Sequence, residues 1–295
     1  MVENIKKIVS HLPPRHMDDF LALCILKSKY PNAKIEFEHP QNFPKEYLTD
    51  PSIILVDIGG ILDVKLKKYD HHQNLDLPCS LILVIEYELK DKLLIRQPAI
   101  QFIDVMDRFG IKQALCEFRI NKDDKIELMR DQILMLNINL VYDIVVDVLN
   151  ELKRTCTNFN GFISMLYNKL DNSGKLYEIK KKLDIEKKEL ERKYEQSVRI
   201  KSRNIGFRFS NESFAPYHTK IFDKDPETEI IIERNHMNPN HTSIIRSNKS
   251  KIDLSKIFKH YKKVFLHPSG FIAVIDKDYS EISKDKMSFI KKLIE

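Results

Sequence analysis

Ile53-Ile54-Leu55-Val56, four consecutive apolar residues running straight into Asp57-Ile58-Gly59-Gly60, constrains the fold more than any other segment of this chain. A strand with one wet face alternates apolar and polar residues. An unbroken apolar run needs cover on both faces, which is the condition of a buried parallel strand. The acid at its carboxyl end then falls where open parallel sheets gather their ligands. Lys7 to Ser10 reads as the end of another strand, Asp18 to Tyr30 as a helix and Ile35 to Glu38 as a third strand. Leu81 to Glu88 is apolar, and Ile100 to Phe109 and Met129 to Lys153 carry helical spacing. Strands alternating with helices predict an α/β layer domain over residues 1–170.

Asn172-Ser173-Gly174 interrupts this pattern. After it, Leu176, Ile179, Leu183, Leu190, Tyr194 and Val198 form a partial apolar stripe, so residues 171–204 read as a long helical connector. From residue 205 to 295 the texture changes to short strand-like runs: Gly206 to Phe209, Glu229 to Ile232, Ser243 to Arg246, Val264 to Leu266 and Phe271 to Ile275. Asn and Pro separate several of them, which predicts a smaller α+β domain. Between Lys175 and Arg203 there are 11 Lys/Arg against 6 Asp/Glu, so the basic excess behind the net charge of +6 is concentrated there. Such a strip attracts phosphates through counterion release, although a solvated lysine-rich helix face has the same composition.

Composition narrows the function. With 42% hydrophobic residues the chain is too apolar for a disordered protein. It has 7 Gly and no Walker-type phosphate loop. No segment approaches the roughly 18 apolar residues of a membrane span, and the first ten residues lack a secretory apolar stretch. Cys24, Cys79, Cys116 and Cys156 are widely spaced and form no CxxC pair, which predicts a reducing, cytoplasmic setting.

Three blocks rich in His and Asp lie near probable strand ends: His11-Leu-Pro-Pro-Arg-His16-Met-Asp18-Asp19, then Asp57, then Tyr69-Asp70-His71-His72-Gln73. Singly, each has a plain alternative as a turn, a cap or a surface histidine. Together and in order they say more. Two carboxylates about 4 Å apart repel by roughly 4 kcal/mol at an effective dielectric of 20, so gathering several requires a cation. Mixed imidazole and carboxylate ligands suit Mn²⁺, with Mg²⁺ the other candidate. Two such ions about 3.5–4 Å apart serve an in-line displacement at phosphorus.

The order His11…His16-x-Asp18, Val56-Asp57-x-Gly-Gly and Tyr69-Asp70-His71-His72-Gln73 resembles the DHH phosphoesterase superfamily. The chain is most similar to the branch of exonucleases named for the melanocyte-proliferating-gene-one protein. Two features carry this: His16 stands where most of the superfamily has Asp, and Phe265-Leu-His267-Pro-Ser269-Gly270-Phe271-Ile272 resembles that branch's His-x-x-Gly-Phe segment. The resemblance implies a DHH-type parallel-sheet domain, a long helix and a C-terminal substrate-binding α+β domain. It also implies that His11, His16 and Asp57 hold one manganese, that Asp18, Asp57 and His71 hold a second with Asp57 bridging, that His72 faces the phosphate, and that Asp70 orients an imidazole. A further Asp for the second ion is implied at Asp104 or Asp107, with Asp107 nearer the helix end at Gly110. The branch has Asn-Gly after this acid, whereas this chain has Arg108-Phe109-Gly110. Asp19 stands where the branch usually has Glu and receives no metal role. His241, Arg246, His267, Ser269 and Gly270 are the implied substrate contacts.

The expected activity is thus a two-metal phosphodiesterase, a 3′–5′ exonuclease releasing nucleoside monophosphates from single-stranded RNA, DNA or short oligonucleotides. The alternatives are hydrolysis of dinucleotides, cyclic dinucleotides or pyrophosphate, and a nucleic-acid-binding module without catalysis.

Overall fold

The computed structural model describes residues 4–40, 42–74, 76–267 and 269–294. It falls into two compact units, Met1–Lys181 and Lys182–Glu295, each described by itself.

The first unit is built on β1 (Lys7–His11), β2 (Lys34–Glu38), β3 (Ile53–Val56), β4 (Leu62–Asp63) and β5 (Lys68–Tyr69), in the order β2-β1-β3-β5-β4. All neighbours are parallel except β4, which runs against β5. The unbroken apolar run of β3 is explained by cover on both faces. Ile54 and Val56 join the main core with Ile8, whereas Ile53 and Leu55 join Val9 and Ile58 beneath Phe43, Tyr47 and Leu48. Lys68 is fully buried in this sheet. Its Nζ donates to the Asp50 carbonyl at 2.9 Å and to that of Ile53, and burial pulls the ammonium down to about 8.

The helices of this unit are α1 (Met17–Lys29), α2 (Ser80–Val84), α3 (Lys92–Ile95), α4 (Pro98–Phe109), α5 (Ile111–Glu117), α6 (Asp124–Leu134), α7 (Tyr142–Thr155) and α8 (Phe159–Asn172). A π-helical stretch, Ile85–Leu89, prolongs α2. α1 is apolar nearly all round, and its ten residues Met17 to Leu26 are all buried. The helical spacing expected over Met129 to Lys153 is broken after α6. Asn137 accepts the Asn139 N–H at 3.0 Å and starts a short 3-10 turn, Ile138–Leu140. Leu136 and Ile138 stay buried through the break, so the apolar spacing continues where the helix does not.

A 20-residue helix, α9 (Tyr177–Gln196), spans the division between the units and buries none of its residues. Its apolar stripe serves two cores. Leu176, just before it, and Ile179 belong to the first, while Leu190 and Tyr194 pack on Phe214, Ile221, Ile231 and Ile245 in the second. The helix stops earlier than its stripe suggested. Val198 to Ser202 is strand β6, paired antiparallel with β7 (Ile205–Ser210). Arg203 and Asn204 turn the chain with φ of 48° and 65°. Two left-handed residues make the tight hairpin turn whose twist matches paired strands, and alternation in Val-Arg-Ile-Lys-Ser then reads correctly as strand.

The second sheet continues through β8 (Thr228–Arg234), β9 (Thr242–Arg246), β10 (Lys263–Leu266) and β11 (Ile272–Ile275), in the order β10-β11-β9-β8-β7-β6. Only β7 and β8 pair in parallel, joined through α10 (His218–Lys224). One face packs Phe207, Phe209, Ile230, Ile232 and Ile244 against Phe289, Ile290 and Leu293 of the last helix, Lys286–Ile294. On the other, Arg208 is buried: its guanidinium lies 4.0 Å from the Tyr194 ring, donates to Ser197 Oγ at 2.7 Å and pairs with Asp225.

Candidate metal centre

The parallel strands of the first unit end together, and each delivers one block. β1 ends on His11. β3 hands over to Asp57, and β5 to Asp70-His71-His72. The loop after β1 places His16 and Asp18 at the start of α1, where Asp19 accepts the His16 N–H at 2.7 Å and caps the helix. α4 adds Asp107. Asp57 is left-handed, with φ of 58°. That conformation costs most side chains energy but is tolerated by Asp. The chain turns back through Gly60, at φ of +66°, whose N–H donates to Asp70 Oδ2 at 2.6 Å.

Hydrogen bonds orient the imidazoles of His11 and His72. His11 Nδ1 lies 2.7 Å from the Leu12 carbonyl and donates to it, leaving Nε2 toward Asp57 Oδ2 at 3.3 Å and Asp19 Oδ2 at 3.7 Å. A backbone carbonyl on one ring nitrogen is the usual support of a metal-binding histidine. His71 Nε2 lies 3.0 Å from Asp107 Oδ2 and 3.2 Å from Asp57 Oδ1, yet is aligned with neither as a hydrogen bond. His16 Nδ1 is 3.4 Å from Asp107 Oδ1. His72 differs: its Nδ1 hydrogen-bonds Asp70 Oδ1 at 2.7 Å, and its side chain is 60% exposed.

Electrostatics here call for cations. Burial, then the charges of Asp57, Asp107 and Asp19, push Asp18 well above the usual carboxylate range. Burial brings Asp19 up to about 7. Burial also opposes ionisation of Asp57 and Asp107, but His11 and His71 hold the first low, and His16 and His71 hold the second at about 2. In return Asp57 raises His11 to about 9, and against the pull of burial Asp107 and Asp57 raise His71 to about 10. Protons stand here for positive charge that divalent ions can supply. Both carboxylate oxygens of Asp18, Oδ2 of Asp19 and both ring nitrogens of His71 are buried without a hydrogen-bond partner. Such atoms suit a metal.

Among the described residues, three groups have ligand atoms within 4.8 Å of one another: His11, His16 and Asp57; Asp57, His71 and His72; and His16, Asp18 and Asp107. The first is the set implied for one ion. The set implied for the second, Asp18, Asp57 and His71, is divided between the other two groups, and Asp107 joins Asp18. Asp104 lies in none of them. Its Oδ1 accepts the Cys79 N–H at 2.7 Å, and its carboxylate pairs with Arg108. It braces the start of α2 instead. Asp104 and Asp107 share a helix face by spacing, so only packing separates them.

Two residues of this region escaped the sequence reading. Ser80 Oγ donates to Asp57 Oδ1 at 3.1 Å. Glu88 binds Lys29 and Tyr30 at the end of α1, and Lys67 and Tyr69 beside β5. Only Tyr69, directly before Asp70, hinted at that support.

In the second unit, Arg246 is turned to the main chain, donating to the carbonyls of Gly270 at 2.9 Å, Ser250 at 3.0 Å and Ser269 at 3.2 Å. It thereby shapes the turn that carries the half-buried His267, whose Nδ1 is 2.8 Å from Ser269 Oγ. Gly270 has φ of +69°, a conformation natural to glycine. Pro268 lies outside the described residues. His241, 3.6 Å from Asp276, lines a mainly apolar cavity of about 350 Å³ with Met237, Phe265 and Val274.

Residues 7–75 match the family described as "MYG1_exonuc: Uncharacterised protein family (UPF0160)". This stretch holds every candidate ligand named above except Asp104 and Asp107. No curated protein matches the chain. Among solved structures, "pGpG-specific phosphodiesterase - PggH from Vibrio cholrae" is 12% identical, with a TM-score of 0.43 and 98% of each chain covered. An uncharacterized protein from Helicobacter pylori G27 is 11% identical, with a TM-score of 0.24, covering 97% of this chain and 99% of its own. Among the described residues, no helix is long and apolar enough to cross a membrane.

Proposed function

We propose that this chain is a two-metal phosphodiesterase, favouring Mn²⁺ over Mg²⁺, that trims RNA or DNA from the 3′ end and releases nucleoside monophosphates. The observation that carries the proposal is the meeting of His11, His16, Asp18, Asp57, His71 and Asp107 at one sheet edge, with Asp57 common to two ligand groups. His11, His16 and Asp57 would hold one ion, and Asp18, Asp107 and His71 with Asp57 the other. Bound divalent cations supply a nucleophile at neutral pH and neutralise charge at phosphorus.

The chain's own residues complete the chemistry. Asp70 raises the His72 imidazole above its usual range and fixes its Nδ1. In its protonated form the ring, whose side chain is largely exposed, would offer its other nitrogen as a donor to a substrate phosphate oxygen. The second unit would guide the strand, with the His267–Gly270 turn held in shape by Arg246. The four cysteines are unpaired, which supports a reducing cytoplasmic setting.

The test is incubation of purified protein and Mn²⁺ with end-labelled RNA and DNA. Stepwise shortening from the 3′ end with monophosphate release is expected, and its loss in His71→Ala. Intact oligonucleotides of both kinds would sink the proposal. Dinucleotides, cyclic dinucleotides and pyrophosphate form a parallel panel, and much faster cleavage of dinucleotides than of longer chains would move the assignment to that class. Binding without cleavage would leave a non-catalytic module.

A further inference from the structure

Beside the metal-ligand cluster the first unit opens a cavity of about 280 Å³ between the start of α1, the end of α4 and α6. His16 and Asp107 form the wall it shares with the cluster, so a group lodged here is a near neighbour of the reacting phosphate. The other walls are of a different kind. Met106, Ile111 and Leu134 line it with thioether and aliphatic surface, and the rim carries Arg15, Arg130 and Asp131.

A phosphate has no use for three apolar side chains. A flat heteroaromatic ring does: it buries its faces and keeps its edge for hydrogen bonds. The rim suits such an edge. Arg15 lies over the rings of Phe20 and Phe37, at 5.7 Å and 5.8 Å from their centroids. Arg130 donates to Asp131 Oδ1 at 2.8 Å, so a donor and an acceptor stand side by side. Base edges present that same mixture. The volume, about 280 Å³, falls just below the small-molecule range that starts at about 300 Å³, and admits one base rather than two.

We infer that this cavity seats the nucleobase adjoining the scissile phosphate, so that the unit carrying the metal ligands also reads the base. The inference rests on the phosphodiesterase reading and adds the location of base selectivity. Two measurements test it on the full chain with Mn²⁺. The first is equilibrium affinity for a nucleoside monophosphate against ribose 5-phosphate. The second is the ratio of kcat/KM for an oligonucleotide to that for the same strand with an abasic residue, placed last and then second to last. The wild type is expected to prefer the base-bearing partner in both by about tenfold or more, a modest value for burying one ring.

Leu134→Trp fills the cavity and is expected to bring both preferences to within about threefold of unity. Asp131→Asn, at an exposed position that does not threaten folding, is expected to change the ranking among the four bases. Circular dichroism confirms that each variant is folded. Equal affinity for the monophosphate and ribose 5-phosphate in the wild type overturns the inference, as does a Leu134→Trp variant that keeps the full preference. A wild type that cleaves neither strand counts against the phosphodiesterase reading, whereas the affinity comparison is read without turnover and judges the cavity separately.

Discussion

In a Glu88→Gln variant, four donors lose the anion that gathers them. Glu88 is 6% exposed, and its carboxylate receives Lys29 Nζ at 2.7 Å, Lys67 Nζ at 2.8 Å, Tyr30 OH at 2.8 Å and Tyr69 OH at 2.5 Å. Burial alone would raise this acid, but the donors outweigh it and hold the group at about 2 instead of the ordinary 4.5. At roughly 1.36 kcal/mol per pH unit, that difference corresponds to about 3 kcal/mol favouring the folded state. The folded-state value is depressed, so the contribution is complete above the unfolded value and fades as the pH falls toward 2. Urea unfolding followed by circular dichroism and tyrosine fluorescence should show the variant about 3 kcal/mol less stable at neutral pH, with the gap narrowing below pH ~4.5. The variant should also lose metal affinity, because Glu88 ties the end of α1, the helix that carries Asp18, to β5, which leads into Asp70-His71-His72. Equal unfolding midpoints at neutral pH, or a gap that does not narrow in acid, would refute the reasoning.

Asp70→Asn keeps the shape of the side chain but removes the charge that orients His72, and should lower Mn²⁺-dependent turnover by about 10–100-fold while far-UV dichroism is unchanged. Arg246→Lys has a single side-chain nitrogen that cannot span the three carbonyls reached by Nε, Nη1 and Nη2, so oligonucleotide affinity should fall while the slope of log Kd against log salt stays constant. A slope reduced by about one would instead mark Arg246 as a phosphate contact. Asp225→Ala leaves the buried Arg208 guanidinium without its anion and should destabilise the second unit by about 3–5 kcal/mol in denaturant titrations. Chelation followed by stepwise Mn²⁺ addition should raise the melting temperature of the first unit, because ions held by the folded ligand set have no comparable site in the unfolded chain.

β1, β2 and β3 of the first sheet, and the His and Asp at the ends of β1 and β3, were legible because the two signals adjoin in sequence. An apolar run fixes the strand, and the next polar residue falls at its carboxyl end. β3 followed by Asp57 is of this kind, whereas β5, only Lys68–Tyr69, has no apolar run and was not legible as a strand. What stayed hidden depends on partners far along the chain. Glu88 is 59 residues from Lys29, and Arg246 is 23 residues from Ser269. Nothing local distinguishes Asp104 from Asp107. The early end of α9 was masked by Val198, which fits a helical stripe as well as a strand until the Arg203-Asn204 hairpin supplies its pairing partner. The break between α6 and α7 was masked similarly, since Leu136 and Ile138 preserve the spacing of a helix in a segment that is not one.

The left-handed backbone at Asp57 narrows what inheritance can do with this position. Few side chains tolerate that conformation, and Asn is among the best of them. Asn also keeps the size of Asp and the oxygen that meets Ser80, yet loses the charge shared between the ligand groups. A single codon change at this position therefore leads to a folded chain with an impaired centre, whereas most other substitutions there strain the turn as well.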